Sequence, residues 1–348
     1  WIMAYTTIDN PELHFQVKTY SGDGSAQSIT LDGDEDMQPD FIWGKRRNSS
    51  AAHELYDSVR GTTKYLISNS TAAEDTNTNG ISAFNSDGFT LAGNSSINNG
   101  TIVAWCWKAG GSASSDSNGS ITSSVSANTT AGFSIVAYTG NETAGATVGH
   151  GLGAVPQTYW VKSRSVADGW RIYHHKVASD PETDYLVLNN NNANADSHGY
   201  WNDTAPTSSV FSLGPAGEVN TNSSTNIAYC FTEIKGYSKI GKYVGNANAD
   251  GPFVYTGFKP AWLMVKGDRA DGWQIMDNKR EGYNVISPRL LANDTASEYT
   301  NLTNCDFLSN GFKVRSNDSH MNYAEDYFYI AFAESPFVNS NGIPNNAR

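Results

Sequence analysis

Alternation of apolar and polar side chains dominates this chain, and its clearest instance occurs three times. Counting from Pro39, the second, fourth and sixth residues are Phe41, Trp43 and Lys45. From Pro156 they are Thr158, Trp160 and Lys162, and from Pro260 they are Trp262, Met264 and Lys266. Side chains two apart share one face of a β-strand. The opposite face holds Ile42, Tyr159 or Leu263, then Gly44, Val161 or Val265. One face is apolar and the other joins an aromatic or Met to a Lys. That is the pattern of an antiparallel sheet with one buried face. A neighbouring strand is predicted in each copy, at His53-Glu-Leu-Tyr-Asp57, Trp170-Arg-Ile-Tyr-His174 and Trp273-Gln-Ile-Met-Asp277.

The recurrence is wider than these strands. An opening strand ends at Tyr20, Tyr138 or Tyr243. A closing strand reads Ile102-Val-Ala104-Trp105-Cys106, Ile227-Ala-Tyr229-Cys230 and Ile330-Ala-Phe332, which puts Ala333 in the slot of Cys106 and Cys230. A period of roughly a hundred residues marks a whole small domain, not the blade or coil of a solenoid. Phe84-Asn-Ser-Asp-Gly88-Phe89 and Phe307-Leu-Ser-Asn-Gly311-Phe312 carry Asp-Gly and Asn-Gly pairs that suit tight hairpins; the second copy has the weaker Phe211-Ser-Leu-Gly214. Helix-like stretches are confined to 70–75 and 287–293.

These patterns predict an all-β protein of three tandem antiparallel β-sandwich domains, jelly-roll or lectin-like in character. The domains span 11–109, 132–236 and 237–336, each with its own apolar interior. Residues 1–10 form an N-terminal arm in which Met3 reads as a natural start after Trp1 and Ile2. Residues 110–131 read as a Gly/Ser linker, mobile or extended, and 337–348 as a loose polar tail. The missing linker between the second and third copies predicts that these two pack closely.

Composition narrows the function. Of 348 residues 12% are aromatic and 17% charged, too aromatic for disorder and suited to short strands joined by polar turns. The net charge of −12 repels phosphate backbones and anionic bilayers, and no apolar run approaches a membrane span. Neither nucleic-acid binding nor membrane insertion is expected. Cys106, Cys230 and Cys305 form no disulfide or zinc pattern and read as small buried residues.

Several segments carry a family resemblance. Met3-Ala-Tyr-Thr-Thr-Ile-Asp-Asn-Pro11, Gln38-Pro-Asp-Phe-Ile-Trp43-Gly-Lys-Arg-Arg47, Asp57-Ser-Val-Arg-Gly61 and Val103-Ala-Trp-Cys-Trp-Lys-Ala-Gly-Gly111 resemble structural proteins of marine and environmental bacteriophages. Tyr138-Thr-Gly140, Gly149-His-Gly-Leu-Gly153 and Trp160-Val-Lys162 continue the likeness in the second copy. The third copy departs from it, with Asn278-Lys-Arg-Glu-Gly282 in place of Asp-Ser-Val-Arg-Gly. The resemblance implies a virion protein of the tail or tail-fibre kind, located on the particle, with other virion proteins as partners and a homotrimeric assembly. It supplies no catalytic residues.

Candidate chemistry is sparse. Trp43, Lys45, Trp160, Lys162, Trp170, Trp262, Lys266 and Trp273 could form a glycan platform in which indoles stack on sugars and amines bond hydroxyls. Their presence in every copy favours packing instead, with Lys running over an aromatic. Asp32, Asp34 and Asp36 form an acidic loop with oxygen ligands of the kind calcium takes, though without EF-hand spacing. His174 and His175 are adjacent on a strand and point to opposite faces, so they do not chelate together. The carboxylate pairs Glu54 with Asp57 and Asp180 with Glu182 could be proposed for glycoside cleavage, but neither recurs. Asn69, Asn128 and Asn293 begin Asn-x-Ser/Thr triplets, which the excess of these residues produces by chance. The expected function is a non-enzymatic virion component without a cofactor, an appendage binding a host-surface glycan or receptor. The alternatives are a capsid-decoration or tail-assembly protein and a glycan depolymerase.

Overall fold

In each repeat a larger antiparallel sheet is backed by a smaller one. The protein is represented by a computed structural model that describes residues 5–345; Trp1, Ile2, Met3 and Ala4 lie outside the described residues, as do 346–348. In repeat 1 the larger sheet runs Phe15–Asp23, Asn99–Trp107, Phe41–Arg46, Glu54–Asp57, Lys64–Ile67, Asp75–Thr76. Repeat 2 repeats that order as Phe133–Thr139, Thr225–Phe231, Thr158–Ser163, Arg171–His174, Asp184–Val187, Ala195–Asp196. Repeat 3 follows with Ser238–Val244, Asp326–Pro336, Phe258–Gly267, Gln274–Asp277, Leu290–Leu291. The smaller sheet contains Gln27–Ile29, Gly88–Leu91 and Ile81–Asn85 in repeat 1, and Ala146–Gly149 with Val210–Leu213 in repeat 2. In repeat 3 it contains Phe253–Tyr255, Gly311–Val314 and Cys305–Leu308. The protein is nearly all β, with sandwich-like layering.

Between the two sheets of each repeat lies a local core. It contains Ile42, Tyr56, Phe89 and Cys106 in repeat 1, Tyr159, Trp201, Phe211 and Cys230 in repeat 2, and Leu263, Met276, Phe307 and Phe312 in repeat 3. The expectation of three self-contained interiors is corrected by a fourth cluster. The opposite faces of the three larger sheets meet in one shared core, to which repeat 1 brings Trp43, Trp105 and Trp107, repeat 2 Trp160 and Phe231, and repeat 3 Trp262 and Phe332. Rings touch across all three boundaries: Trp43 on Trp160 at 5.9 Å, Trp105 on Trp262 at 6.3 Å, and Phe231 on Phe332 at 5.9 Å between centroids. The post-proline strands are therefore buried on both faces, which corrects the expectation of one buried face: the neighbouring repeats cover the side that carries the aromatics and lysines.

Several local expectations change with it. The Gly/Ser segment 110–131 is ordered: Ser114–Asp116 and Ser123–Asn128 extend the sheet of repeat 2. Its serines make the fit, since the Ser126 hydroxyl accepts from the Gly110 N–H and donates to the Gly111 carbonyl while Ile121 and Val125 are buried. The stretches 70–75 and 287–293 are not helical. The helices are single turns at His198–Trp201, Gly217–Asn220 and Ser319–Asn322, with a 3-10 turn at Pro11–Leu13. The tail folds back as far as 345, with the Val338–Pro344 bridge and the Ser340 hydroxyl donating to Asp9.

Both hairpins carrying Asp-Gly or Asn-Gly close as expected, pairing Asn85 with Gly88 and Leu308 with Gly311. The closing strand of repeat 3 is in a different register from the one read in the sequence. Trp43 faces Trp105, Trp160 faces Tyr229, and Met264 faces Ile330. Ile330 and Ala331, not Phe332 and Ala333, therefore stand where Trp105 and Cys106 stand. The opening strands agree, pairing Tyr20 with Ile102 and Tyr243 with Tyr327. Irregularities at Lys259–Pro260 and Pro260–Trp262 absorb the slip; proline offers no N–H to the ladder there.

Candidate functional site

The eight residues singled out as a glycan platform are all inside the molecule. Trp43, Lys45, Trp160, Lys162, Trp170, Trp262 and Lys266 are 0% exposed and Trp273 is 2% exposed. An indole with no free face cannot stack on a sugar, which corrects the platform reading. The structure gives them another task, because the seams between repeats are built from them.

Strand pairing and spacing together define equivalent positions in the three repeats. Asn69, Asn189 and Asn293 each accept, through Oδ1, the backbone N–H of His53, Trp170 and Trp273, at 2.9, 2.8 and 2.8 Å. The indole N–H groups then reach across a seam. Trp170 donates to the Ile67 carbonyl of repeat 1 at 2.9 Å, and Trp273 to the Val187 carbonyl of repeat 2 at 2.8 Å. His53 occupies that place in repeat 1 and faces the Leu291 carbonyl of repeat 3. Ile67, Val187 and Leu291 are themselves equivalent, facing Glu54, Arg171 and Gln274. Contacts that run from 1 to 3, 3 to 2 and 2 to 1 describe a closed, approximately threefold ring.

The three lysines lie in the same ring. Lys45 Nζ donates to the carbonyls of Arg46 and, across a seam, Thr295 at 3.2 Å. Lys162 Nζ donates to Ser163 and, across a seam, Thr71 at 3.4 Å. Lys266 Nζ donates to Gly267 and Arg269, within its own repeat. Burial of the ammonium groups pushes all three pKa values down to about 8.

Two seams are locked by a five-residue charge network. Between repeats 1 and 2, Arg60 Nε donates to Asp57 Oδ2 at 2.5 Å and the Tyr229 hydroxyl donates to the same oxygen at 2.7 Å. Arg60 Nη1 reaches Glu74 at 3.3 Å, and Arg164 grips both oxygens of Glu74 at 2.8 and 3.0 Å. Between repeats 3 and 1, Arg280 Nε donates to Asp277 Oδ2 at 2.7 Å and the Trp105 indole donates to it at 2.9 Å. Arg280 Nη1 reaches Glu298 at 3.0 Å, and Arg47 grips Glu298 at 3.0 and 2.9 Å. Repeat 3 thus keeps the Asp-x-x-Arg pair of Asp57 and Arg60, one position earlier than Asn278-Lys-Arg-Glu-Gly282 suggested. Repeat 2 is the copy that lacks it, with His174 and Val177 at those places.

The remaining candidates are not assembled. Asp32 pairs with Lys18 at 3.3 Å, Asp34 and Asp36 are exposed, and among the described residues no three His, Cys, Asp or Glu side chains could hold a metal ion. His174 and His175 each bond a carbonyl of repeat 3, Tyr329 at 3.4 Å and Ile240 at 2.8 Å. Glu54 accepts from Tyr56, and Asp57 is sealed in its network at 0% exposure. Among the described residues no helix is long and apolar enough to cross a membrane. Sequence reasoning missed the role of Asn69, Asn189 and Asn293, having met the first and last only as chance Asn-x-Ser/Thr triplets. Their signal was an Asn sixteen to twenty residues after the His or Trp of each repeat, in a chain crowded with Asn.

The chain belongs to a protein family described as a domain of unknown function (DUF7483), whose model matches residues 10–336. That single match spans all three repeats, as one shared core would lead one to expect. No curated protein and no solved structure matches the chain.

Proposed function

We propose that the chain is a non-enzymatic structural component of a bacteriophage virion, acting as one block made of three fused β-sandwich units. One observation carries this reading: the residues repeated in every unit are spent on the shared core and its seams. Repetition of this kind supplies shape and stiffness rather than three copies of a ligand site. The approximately threefold ring provides, in one chain, the symmetry that the phage resemblance implies for three chains. Its acidic surface suits protein neighbours in a particle over nucleic acid. The test is antibody labelling of purified particles from a phage that encodes the chain, viewed by electron microscopy. Label on the virion is expected, at the tail or on capsomers, and unlabelled particles would overturn the proposal.

Adhesion to a host glycan is the second reading, moved from the buried tryptophans to the surface. Repeat 3 exposes Phe253 and Tyr255 on the outer edge strand of its smaller sheet, at 46% and 52%. Exposed rings on one strand face can stack on sugars or pack on a protein. Whole-cell binding of the purified chain, compared with Phe253→Ala/Tyr255→Ala, separates these roles; unchanged binding in the variant removes this face from adhesion. Incubation with host polysaccharide and a reducing-end assay tests the depolymerase alternative, which released ends would revive.

A further inference from the structure

The seam between repeats 2 and 3 departs from the other two at every position of the charge network. Where Asp57 and Asp277 stand, repeat 2 has His174, and where Arg60 and Arg280 stand it has Val177. Glu74 and Glu298, each five residues after the seam asparagine, become Asn194. Arg47 and Arg164, each two residues after the buried lysine, become Asp268. Trp105 and Tyr229, the donors to the buried carboxylates, become Ile330. Carboxylate, guanidinium and donor have all gone together, which is how a cooperative polar network must be lost, since any member left alone would be buried without its partner.

What remains across this seam is a set of separate bonds in place of a buried charge network: His174 to the Tyr329 carbonyl at 3.4 Å, His175 to the Ile240 carbonyl at 2.8 Å, Trp273 to the Val187 carbonyl at 2.8 Å, and the Lys239–Glu233 ion pair beside the covalent connection. Asn194 turns inward to Asp184 at 3.2 Å, and Lys266 bonds its own repeat. Burial, and after it the Asp326 carboxylate, hold the Asp268 carboxyl above its ordinary range against the pull of Lys266, and no guanidinium stands there to pair with repeat 2. A short covalent connection crosses this seam between Phe231 and Ser238, as one of the same length between Trp107 and Ser114 joins repeats 1 and 2, so here the tether stands without the charge network. Gly236 joins the repeats directly, and Ser238 pairs with Phe332 beside Trp262. That connection lies at one end of Phe258–Gly267, and Asp268 lies just past the other. A short tether keeps two surfaces at high effective concentration without a lock. The ring closure between repeats 1 and 3 has no such tether.

We propose that the ring opens at the seam between repeats 2 and 3, from the Asp268 end, while the two charge-locked seams stay shut. The connection through Gly236 limits the opening and returns it. Opening would bare the aromatic inner edge of repeats 2 and 3 and leave repeat 1 docked to both. This inference is independent of where the protein works.

Two matched indoles report on it. Trp170 and Trp273 occupy equivalent positions, are 0% and 2% exposed and donate to equivalent carbonyls, but across different seams; the Trp273 bond is the more buried of the two, so burial alone would slow it. Hydrogen exchange of their indole N–H groups, followed by NMR on the intact chain, is expected to be at least about tenfold faster for Trp273. Equal exchange, or faster exchange at Trp170, would overturn the proposal. The double variant Asn194→Glu/Asp268→Arg rebuilds the outer ion pair and is expected to slow Trp273 while leaving Trp170 unchanged. No slowing in a folded double variant would overturn the assignment to the missing lock, and the wild-type comparison decides the matter alone if that variant does not fold.

Discussion

A half-buried asparagine that satisfies a single backbone N–H is easily overlooked, yet three of them set the seams here. Asn69, Asn189 and Asn293 fix the backbone of His53, Trp170 and Trp273, and those side chains then cross to the next repeat. Truncation leaves a buried N–H without a partner, at a cost of about 1–3 kcal/mol. Each of Asn69→Ala, Asn189→Ala and Asn293→Ala is expected to lose stability in that range by urea unfolding, with the three values similar. The lysines give a pH signature. Their folded pKa values of about 8 lie below the ordinary 10.5, so between these values the unfolded chain binds more protons. Stability therefore rises with pH across that window, and below it these groups exert their full burial cost without adding any pH dependence. From about pH 9 the rise is opposed, because burial holds the thiols of Cys106, Cys230 and Cys305 protonated when folded while unfolded thiols ionise, and above about 10 the sign reverses as Tyr159, Tyr229 and Tyr243 behave in the same way. Urea midpoints measured from pH 7 to 11 should climb past pH 8, level off near 9 and turn down beyond 10, and Lys162→Met should flatten the climb.

At the level of elements, the segment 110–131 shows what composition conceals. Its Gly and Ser content looks like a tether, and its physical behaviour is that of two sheet strands. Small hydroxyl side chains lie flat in a crowded layer and bond the neighbouring backbone, as Ser126 does with Gly110 and Gly111 and Ser123 with the Gly149 carbonyl. Limited proteolysis of the native protein should leave 123–128 intact. Ser126→Ala should cost about 1 kcal/mol and admit cleavage nearby, whereas a mobile tether would be cut first in the wild type. The post-proline strands teach a related lesson. Alternation correctly placed Trp43 and Lys45 on one face, but an aromatic beside a Lys looks like a surface. Only the neighbouring repeats reveal that this face is covered, with carbonyls from the next loop receiving the ammonium.

For the whole molecule, the shared core decides how the chain behaves as a thermodynamic object. Three sandwiches on strings would melt separately, and a core drawn from all three couples them. Calorimetry should show one transition whose calorimetric and van't Hoff enthalpies agree, and a fragment of residues 132–236 alone should fail to fold cooperatively, because Trp160, Trp170 and Phe231 would face water. Three resolved transitions, or a stable fragment, would contradict the merged core. Exchange through the seam between repeats 2 and 3 is a local excursion below that global event and leaves the single transition in place.

The amino-acid sequence by itself determined the strands, their alternation, the threefold recurrence and the hairpin turns, because these depend on contacts between residues close along the chain. It also determined that each unit has one apolar face to cover and a second face that joins an aromatic or Met to a Lys. Only the tertiary structure decided what covers the second face, since a buried face and an exposed aromatic face look alike until the neighbour is placed. Pairing across seams, such as Asp57 with Tyr229 and Asp277 with Trp105, joins residues more than a hundred positions apart, and no local pattern encodes which copy meets which. The register of the closing strand in repeat 3 was likewise settled by its ladder, where backbone geometry at Pro260 outweighed the resemblance of Ile330-Ala-Phe332 to its counterparts.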